Sequence, residues 1–244
     1  MNKILGFIFT PIHYLIFFIL LLIFHPIQVI AFNFYGLKAH RRSVDILNFF
    51  IVQNYRTLGT RIKFINNQHI ESGKPIIVIS NHQSMYDIPM MIWYLRKWNL
   101  KFVSKIELAK GIPSISYNLR HSGAAVIDRN DKVQALAEIE KLGKLIYKTN
   151  SGALIFPEGT RSKTGILKTF YIGGIGTLLK EAPNAIIIPL VVNNSWKIFQ
   201  YGQFPLSFGE KISLMVLEPF SAQNLTTPQI IEKAEKAIKL NLIS

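Results

Sequence analysis

The residues best suited to chemistry are His82 and Asp87, in the stretch Asn81-His82-Gln83-Ser84-Met85-Tyr86-Asp87. A neutral imidazole can take a proton from a hydroxyl, and a carboxylate on its other nitrogen fixes the tautomer and stabilises the imidazolium. That is the histidine–carboxylate half of a triad without its serine. It suits a reaction in which the attacking hydroxyl belongs to the substrate. Five positions turn an ideal helix by about 140°, so the two side chains cannot meet on one helical face. They need a turn. The preceding run Pro75-Ile76-Ile77-Val78-Ile79-Ser80 offers a rigid base for one, being too short for a helix and rich in branched residues, as a buried strand is. Taken alone, the pair fits a structural histidine and a helix cap better than it fits catalysis.

A second polar turn follows a second apolar run. Gly152-Ala153-Leu154-Ile155 leads into Phe156-Pro157-Glu158-Gly159-Thr160-Arg161-Ser162. Between the two turns lies Gly123-Ala124-Ala125-Val126-Ile127-Asp128-Arg129, and after them comes the strand-like Ile186-Ile187-Ile188-Pro189-Leu190. In this order, the H-x4-D spacing, the G-x-x-x-I-D-R block, the F-P-E-G-T-R-S block and the last strand resemble the glycerolipid acyltransferases related to bacterial 1-acyl-sn-glycerol-3-phosphate acyltransferase. The matching blocks span residues 82–190.

The resemblance implies transfer of a fatty acyl group from acyl-CoA or acyl-carrier protein to the sn-2 hydroxyl of lysophosphatidic acid, giving phosphatidic acid. His82 would be the general base and Asp87 its orienter. Arg161 and Arg129 match the family positions that clamp the acceptor's phosphate, which guanidinium binds through two parallel hydrogen bonds. An ordinary surface arginine is the alternative at each. Glu158 is implied to help hold the acceptor; otherwise it pairs Arg161 and shapes the turn. Gly159 would supply a backbone conformation closed to other residues, and Thr160 would donate to phosphate or close the turn. Lys105 ends Lys101-Phe102-Val103-Ser104-Lys105, similar to a family segment with a phosphate-binding lysine. One position departs from the pattern. The family often has F-K-x-G after the glutamate block, whereas this chain has Phe170-Tyr171-Ile172-Gly173, with Lys168 three residues before Tyr171. That leaves the acceptor's head group open, so another lysophospholipid is an alternative acceptor. A non-catalytic, membrane-anchored lipid-binding protein is the alternative from a different class.

Composition narrows the partners. The 244 residues carry 28 Lys and Arg against 14 Asp and Glu, a net charge of +14. So basic a chain calls for an anionic partner: nucleic acid, anionic lipid or a phosphorylated substrate. A mean hydropathy of +0.25 points to lipid, and no nucleic-acid-binding motif occurs. Cysteine is absent, which excludes disulfides, thiolate zinc sites and a cysteine nucleophile. No G-x-S-x-G elbow, P-loop, dinucleotide fingerprint or H-E-x-x-H spacing is present, so neither metal nor cofactor is expected beyond the acyl carrier.

Elements must hold these groups in place. Residues 4–37 contain no Asp, Glu, Lys or Arg, and Ile12 to Phe24 is almost wholly apolar. Residues 1–37 therefore read as a helical membrane anchor, bent near Pro26, with residues 38–244 as the acyltransferase domain. Basic residues flank the segment on both sides, so charge does not set an orientation. A single span and an anchor in one leaflet both remain open, and the bend favours the second. The resemblance places such a protein at the bacterial inner membrane, with its site on the cytoplasmic face. Val44, Leu47, Ile51, Tyr55 and Leu58 recur at helical spacing, giving an amphipathic helix over 43–59. Strands are expected at 61–65, 100–105, 126–127, 153–156, 185–192 and 212–217. A helix capped by Asn130 or Asp131 would bury Val133, Leu136, Ile139, Leu142 and Ile146, and a last one from Thr227 would bury Ile231, Ala234 and Ile238. Alternating strands and helices predict an α/β fold: a mixed, largely parallel sheet flanked by helices behind the N-terminal anchor.

Overall fold

The branched runs form one sheet in the computed structural model, which describes residues 1–70 and 73–243. In chain order the strands are β1 (Arg61–Ile65), β2 (Ile76–Ser80), β3 (Leu100–Lys105), β4 (Ala125–Ile127), β5 (Gly152–Ile155), β6 (Ile186–Asn193), β7 (Lys211–Val216) and β8 (Phe220–Ser221). Their spatial order is β1-β7-β6-β2-β5-β3-β4, with β8 also on β6. Every pairing is parallel except those of β7 and β8 with β6, so the sheet is mixed and largely parallel as expected. All five residues of β2 are buried, as a central strand covered on both faces requires. Its register with β5 pairs Ile79 with Ile155. Both polar turns thus leave the sheet side by side, at its carboxyl edge, where open α/β sheets place their sites.

Helices cover both faces: α1 (Asn2–Asn54), α2 (Asp87–Tyr94), α3 (Ile115–His121), α4 (Lys132–Thr149), α5 (Ile172–Glu181) and α6 (Thr227–Leu240). One core joins α1 and α2 to the sheet through Leu47, Ile51, Met90, Met91, Val78 and Ile188. The other joins α4, α5 and α6 through Leu142, Ile146, Leu178, Ile231, Ile77 and Ile187. In α4, Ile139, Leu142 and Ile146 are buried as the periodicity implies, yet Val133 is 81% exposed and Leu136 44%. The helix closes on α5 at Gly143, where an added Cβ would fall 2.7 Å from Glu181. Its first two turns run beyond that contact.

The N-terminal helix departs from expectation in an informative way. Its break is at Gly36 (φ 76°, ψ −175°), whereas Pro26 lies inside regular helix. Proline removes one hydrogen bond but keeps a helical φ, while a φ near +76° costs glycine little and other residues much. The chain folds back at Gly36. Phe24 meets Phe50 at 6.0 Å and Phe32 meets His40 at 5.7 Å, ring to ring. The second limb buries Val44, Leu47 and Ile51 and runs into a 3₁₀ turn, Tyr55–Leu58, with Tyr55 and Leu58 fully buried. The first limb buries Leu21 and Phe24 in the core, yet elsewhere along it polar and apolar residues exchange their usual places. Gly6, Thr10, His13 and Gln28 face the protein, while Phe7, Ile12, Phe18, Leu22, Ile23 and Ile30 face outward. Outward apolar and inward polar side chains are the arrangement of a helix whose outer solvent is lipid. This limb is a membrane-associating segment.

Candidate active site

Asn81 turns the chain out of β2. Its side-chain amide donates to Val192 O and accepts from Val192 N, both at 2.8 Å, taking the place of a backbone pair. The next residue, His82, is held at four points. Its Nδ1 lies 2.8 Å from Asp87 Oδ2, and its ring stacks on Phe156 at 4.0 Å and 14°. Its backbone N–H donates to Glu158 Oε1 at 2.7 Å, and its carbonyl accepts from Ser162 N at 2.7 Å. The two turns are therefore one unit.

Asp87 is fully buried and accepts four hydrogen bonds. Oδ2 takes His82 Nδ1–H and the backbone N–H groups of Gln83 and Ser84 at 2.8 and 2.9 Å, and Oδ1 takes Ser195 Oγ–H at 2.5 Å. It also opens α2, where a helix favours a negative charge. A carboxylate so held can only accept. Nδ1 of His82 therefore carries the proton, and Nε2 is the acceptor toward the cavity that His82 lines.

That cavity, of about 1150 Å³, has an apolar wall that includes Met85, Ile88, Ile92, Phe102 and Leu119. Arg161, Arg129, Lys105, Gly159 and Thr160 line it as well, so the structure brings them together with His82. Gly159 has φ 66°, the conformation expected of it. Among the described residues, the side chains of Arg161, Arg129 and Lys105 make no hydrogen bond or ion pair. Burial pulls the Arg129 guanidinium below arginine's usual range; nearby Glu107 opposes this and nearby Arg161 adds to it. The two guanidiniums thus share one neighbourhood.

Glu158 is placed differently. It is 2% exposed and absent from the cavity wall. Its oxygens accept from His82 N and, at 3.0 Å, from Lys168 N, and it makes no ion pair with Arg161. Burial raises its carboxyl above the usual range, against the pull of those two N–H groups. Tyr171 is exposed on the cavity wall, its N–H bonded to Pro157 O. The Nζ of Lys168 is spent on Arg161 O at 3.0 Å. Sequence reasoning missed Phe156 and Ser195. Phe156 sits in a recognised block, but Ser195 lies 108 positions from its partner and carries no local signal.

Fold and site define an α/β protein with a carboxylate-bonded histidine beside a large, cation-rimmed cavity. The family model described as Acyltransferase matches residues 61–193, and the chain belongs to that family of enzymes. It is 30% identical over 181 residues to the 1-acyl-sn-glycerol-3-phosphate acyltransferase of Saccharomyces cerevisiae, covering 73% of this chain and 58% of that one. With the Helicobacter pylori protein of the same description it is 28% identical over 214 residues, covering 86% and 84%. The crystal structure of PlsC, the 1-acyl-sn-glycerophosphate acyltransferase of Thermotoga maritima, superposes with a TM-score of 0.80 at 20% identity. It covers 99% of this chain and 96% of that one, which establishes the shared fold.

Proposed function

We propose that this protein transfers a fatty acyl group from acyl-CoA or acyl-carrier protein to the sn-2 hydroxyl of 1-acyl-glycerol-3-phosphate, giving phosphatidic acid. The observation that carries the proposal is His82, with Nδ1 fixed on Asp87 and Nε2 free toward the cavity. Nε2 takes the proton as the acceptor's hydroxyl oxygen attacks the thioester carbonyl. The C–S bond breaks, an ester C–O bond forms, and the imidazolium returns its proton to the leaving thiolate. No acyl-enzyme is needed. Arg161 and Arg129 hold the acceptor's phosphate with Lys105 beside them. Thr160 and Gly159 line the same rim, and Glu158 acts as the clasp between the two turns. The relatives' descriptions support this acceptor.

Residues 1–37 serve as the anchor and 38–244 as the catalytic domain. The first limb of α1 touches the domain from Thr10, which accepts from Leu206 N, to Asn33, which donates to Tyr117 Oη. These contacts along the domain support a limb that lies in one leaflet. That keeps the site at the interface, on the cytoplasmic side where both acyl carriers are found. An Asn2→Cys variant of this cysteine-free chain tests the topology. Labelling by an impermeant thiol reagent from the cytoplasmic side is expected; labelling only from the opposite side would establish a span.

A different lysophospholipid acceptor is the second reading, favoured by Tyr171 where the family often has lysine. Both readings meet one experiment: a panel of lysolipids with one acyl donor, with products identified by mass. Phosphatidic acid as the dominant product supports the first reading. A different product from another lysolipid would transfer the assignment, and no product from any would refute acyl transfer.

A further inference from the structure

The first limb of α1 reads as an anchor, but its inward face carries a histidine that lipid attachment does not require. His13 is fully buried, and its Nε2 lies 2.6 Å from Tyr86 Oη. Its Nδ1 faces Asn54 O at 3.1 Å. A carbonyl can only accept, so Nδ1 carries the proton and Nε2 accepts from the Tyr86 hydroxyl. Asn54 closes the ring of contacts by donating from Nδ2 to His13 O at 3.0 Å.

Tyr86 is the residue immediately before Asp87, and every part of it is held. Its carbonyl accepts from Tyr55 Oη at 3.0 Å, its N–H donates to Ser84 Oγ at 3.0 Å, and its ring stacks on Tyr55 at 4.6 Å. The hydroxyl end is held by His13 alone among hydrogen-bond partners in the described residues. A displaced Tyr86 moves the start of α2 and with it Asp87, whose contact to His82 depends on tenths of an ångström. We propose that His13 is a positioning residue for the His82–Asp87 pair, acting through Tyr86, so that the anchoring helix is also part of the support of the site. The proposal rests on the acyl-transfer reading of that pair.

The test compares wild type, His13→Ala, Tyr86→Phe, the double variant and His82→Ala as full-length proteins. Each is assayed with a long-chain acyl-CoA and a short-chain, water-soluble lysophosphatidate, which removes membrane delivery from the rate. His13→Ala and Tyr86→Phe are each expected to lower kcat about tenfold, with both KM values held within about twofold. The double variant should be no worse than either single one, as for residues acting as a unit. Flotation with liposomes should be unchanged. A loosened Asp87 stabilises imidazolium less, so the acidic limb of the kcat/KM–pH profile should move to lower pH, which mere loss of folded protein would not do. His13→Gln, whose amide can both accept and donate, should recover part of the rate.

Should His13→Ala fail to fold, Tyr86→Phe, which removes one oxygen atom, decides the matter. Wild-type kcat in Tyr86→Phe overturns the proposal, as does a kcat loss with an unmoved pH limb. A wild type inactive on lysophosphatidate would instead overturn that acceptor, and an active His82→Ala would overturn the assignment of His82 as base on which the proposal rests.

Discussion

The two halves of the site are built on opposite principles. In the histidine–carboxylate half the acidic groups and the imidazole are held from several sides: Asp87 takes four hydrogen bonds, Glu158 takes two, and Phe156 stacks on the imidazole. In the cationic half, Arg161, Arg129 and Lys105 reach the same cavity on long side chains that no described residue holds. In the proposed function the first half holds the general base, whose reorganisation in mid-reaction would add directly to the barrier, so its geometry is fixed during folding. The proposed phosphate clamp would meet its partner only when the substrate arrives, and the ligand would then supply the missing bonds. The difference separates substitutions that should strike turnover from those that should strike acceptor binding.

The largest break comes from His82→Ala. A general base contributes roughly 10²–10⁴ in rate, and kcat should fall by that much while liposome binding and thermal stability persist. Retention of more than about a tenth of wild-type kcat would remove His82 from the role of base. Asp87→Asn should follow it downward, because an amide offers weaker orientation and no stabilising charge. Arg161→Lys probes the other half. An ammonium keeps the charge but cannot form two parallel bonds to phosphate. The KM for lysophosphatidate should rise about tenfold, the worth of roughly one charge-assisted hydrogen bond. The KM for the acyl donor should stay put. Equal changes in both would place Arg161 outside the acceptor clamp.

Glu158→Gln sharpens the comparison, because Glu158 belongs to the same block as Arg161 yet is bonded like the histidine–carboxylate half. The amide nitrogen of glutamine would oppose one of the two backbone N–H groups, and an unmet buried donor costs about 1–3 kcal/mol. A lower Tm and a several-fold lower kcat are expected, with KM for the acceptor nearly unchanged. A selective rise in that KM would return Glu158 to acceptor binding.

What the sequence disclosed, and what it hid, divides by range. The β2 and β5 runs, the H-x4-D spacing and the apolar stripe from Val44 to Leu58 are local patterns, and each became the element that its periodicity implies. The break in α1 was misplaced because proline is the stronger local signal, whereas Gly36 shows its role only through φ. Helix α5 opens on Ile172-Gly173-Gly174, a poor helix start by propensity. Yet a Cβ at Gly174 would lie 2.8 Å from Ile155, so the glycine permits close packing on β5. Val133 and Leu136 keep the helical period without a layer to bury them. Ser195 and His13 reach the Asn81–Asp87 turn from distant segments, and nothing in their neighbours announces it.

The smallest expected effect on catalysis, and the sharpest control, is at Lys101. It lies on β3 four residues before Lys105, so both are lysines of one strand at the same cavity. Lys105 is exposed and unbonded, but Lys101 is 8% exposed and its Nζ donates to the carbonyl and the side chain of Asn99. Burial, with a further push from Arg41 and against the pull of Asp45, lowers its pKa to about 8 from 10.5. The folded protein therefore binds fewer protons than the unfolded chain between those two values. Stability from this group rises as pH climbs from about 8 toward 10.5, and below 8 the buried charge is a constant cost. The whole difference amounts to roughly 3 kcal/mol at most. Lys101→Met, similar in length and uncharged, should abolish that rise, seen as the wild-type-minus-variant difference in unfolding free energy across pH 7 to 11. Loss of the Asn99 contacts offsets part of the gain at pH 7, so the slope is the cleaner readout. Turnover and acceptor KM should stay near wild type. A pH-independent difference would mean that Lys101 stays charged in the fold. A rise in acceptor KM as large as that of Arg161→Lys would place this bonded, buried cation in the clamp and break the division between the two halves.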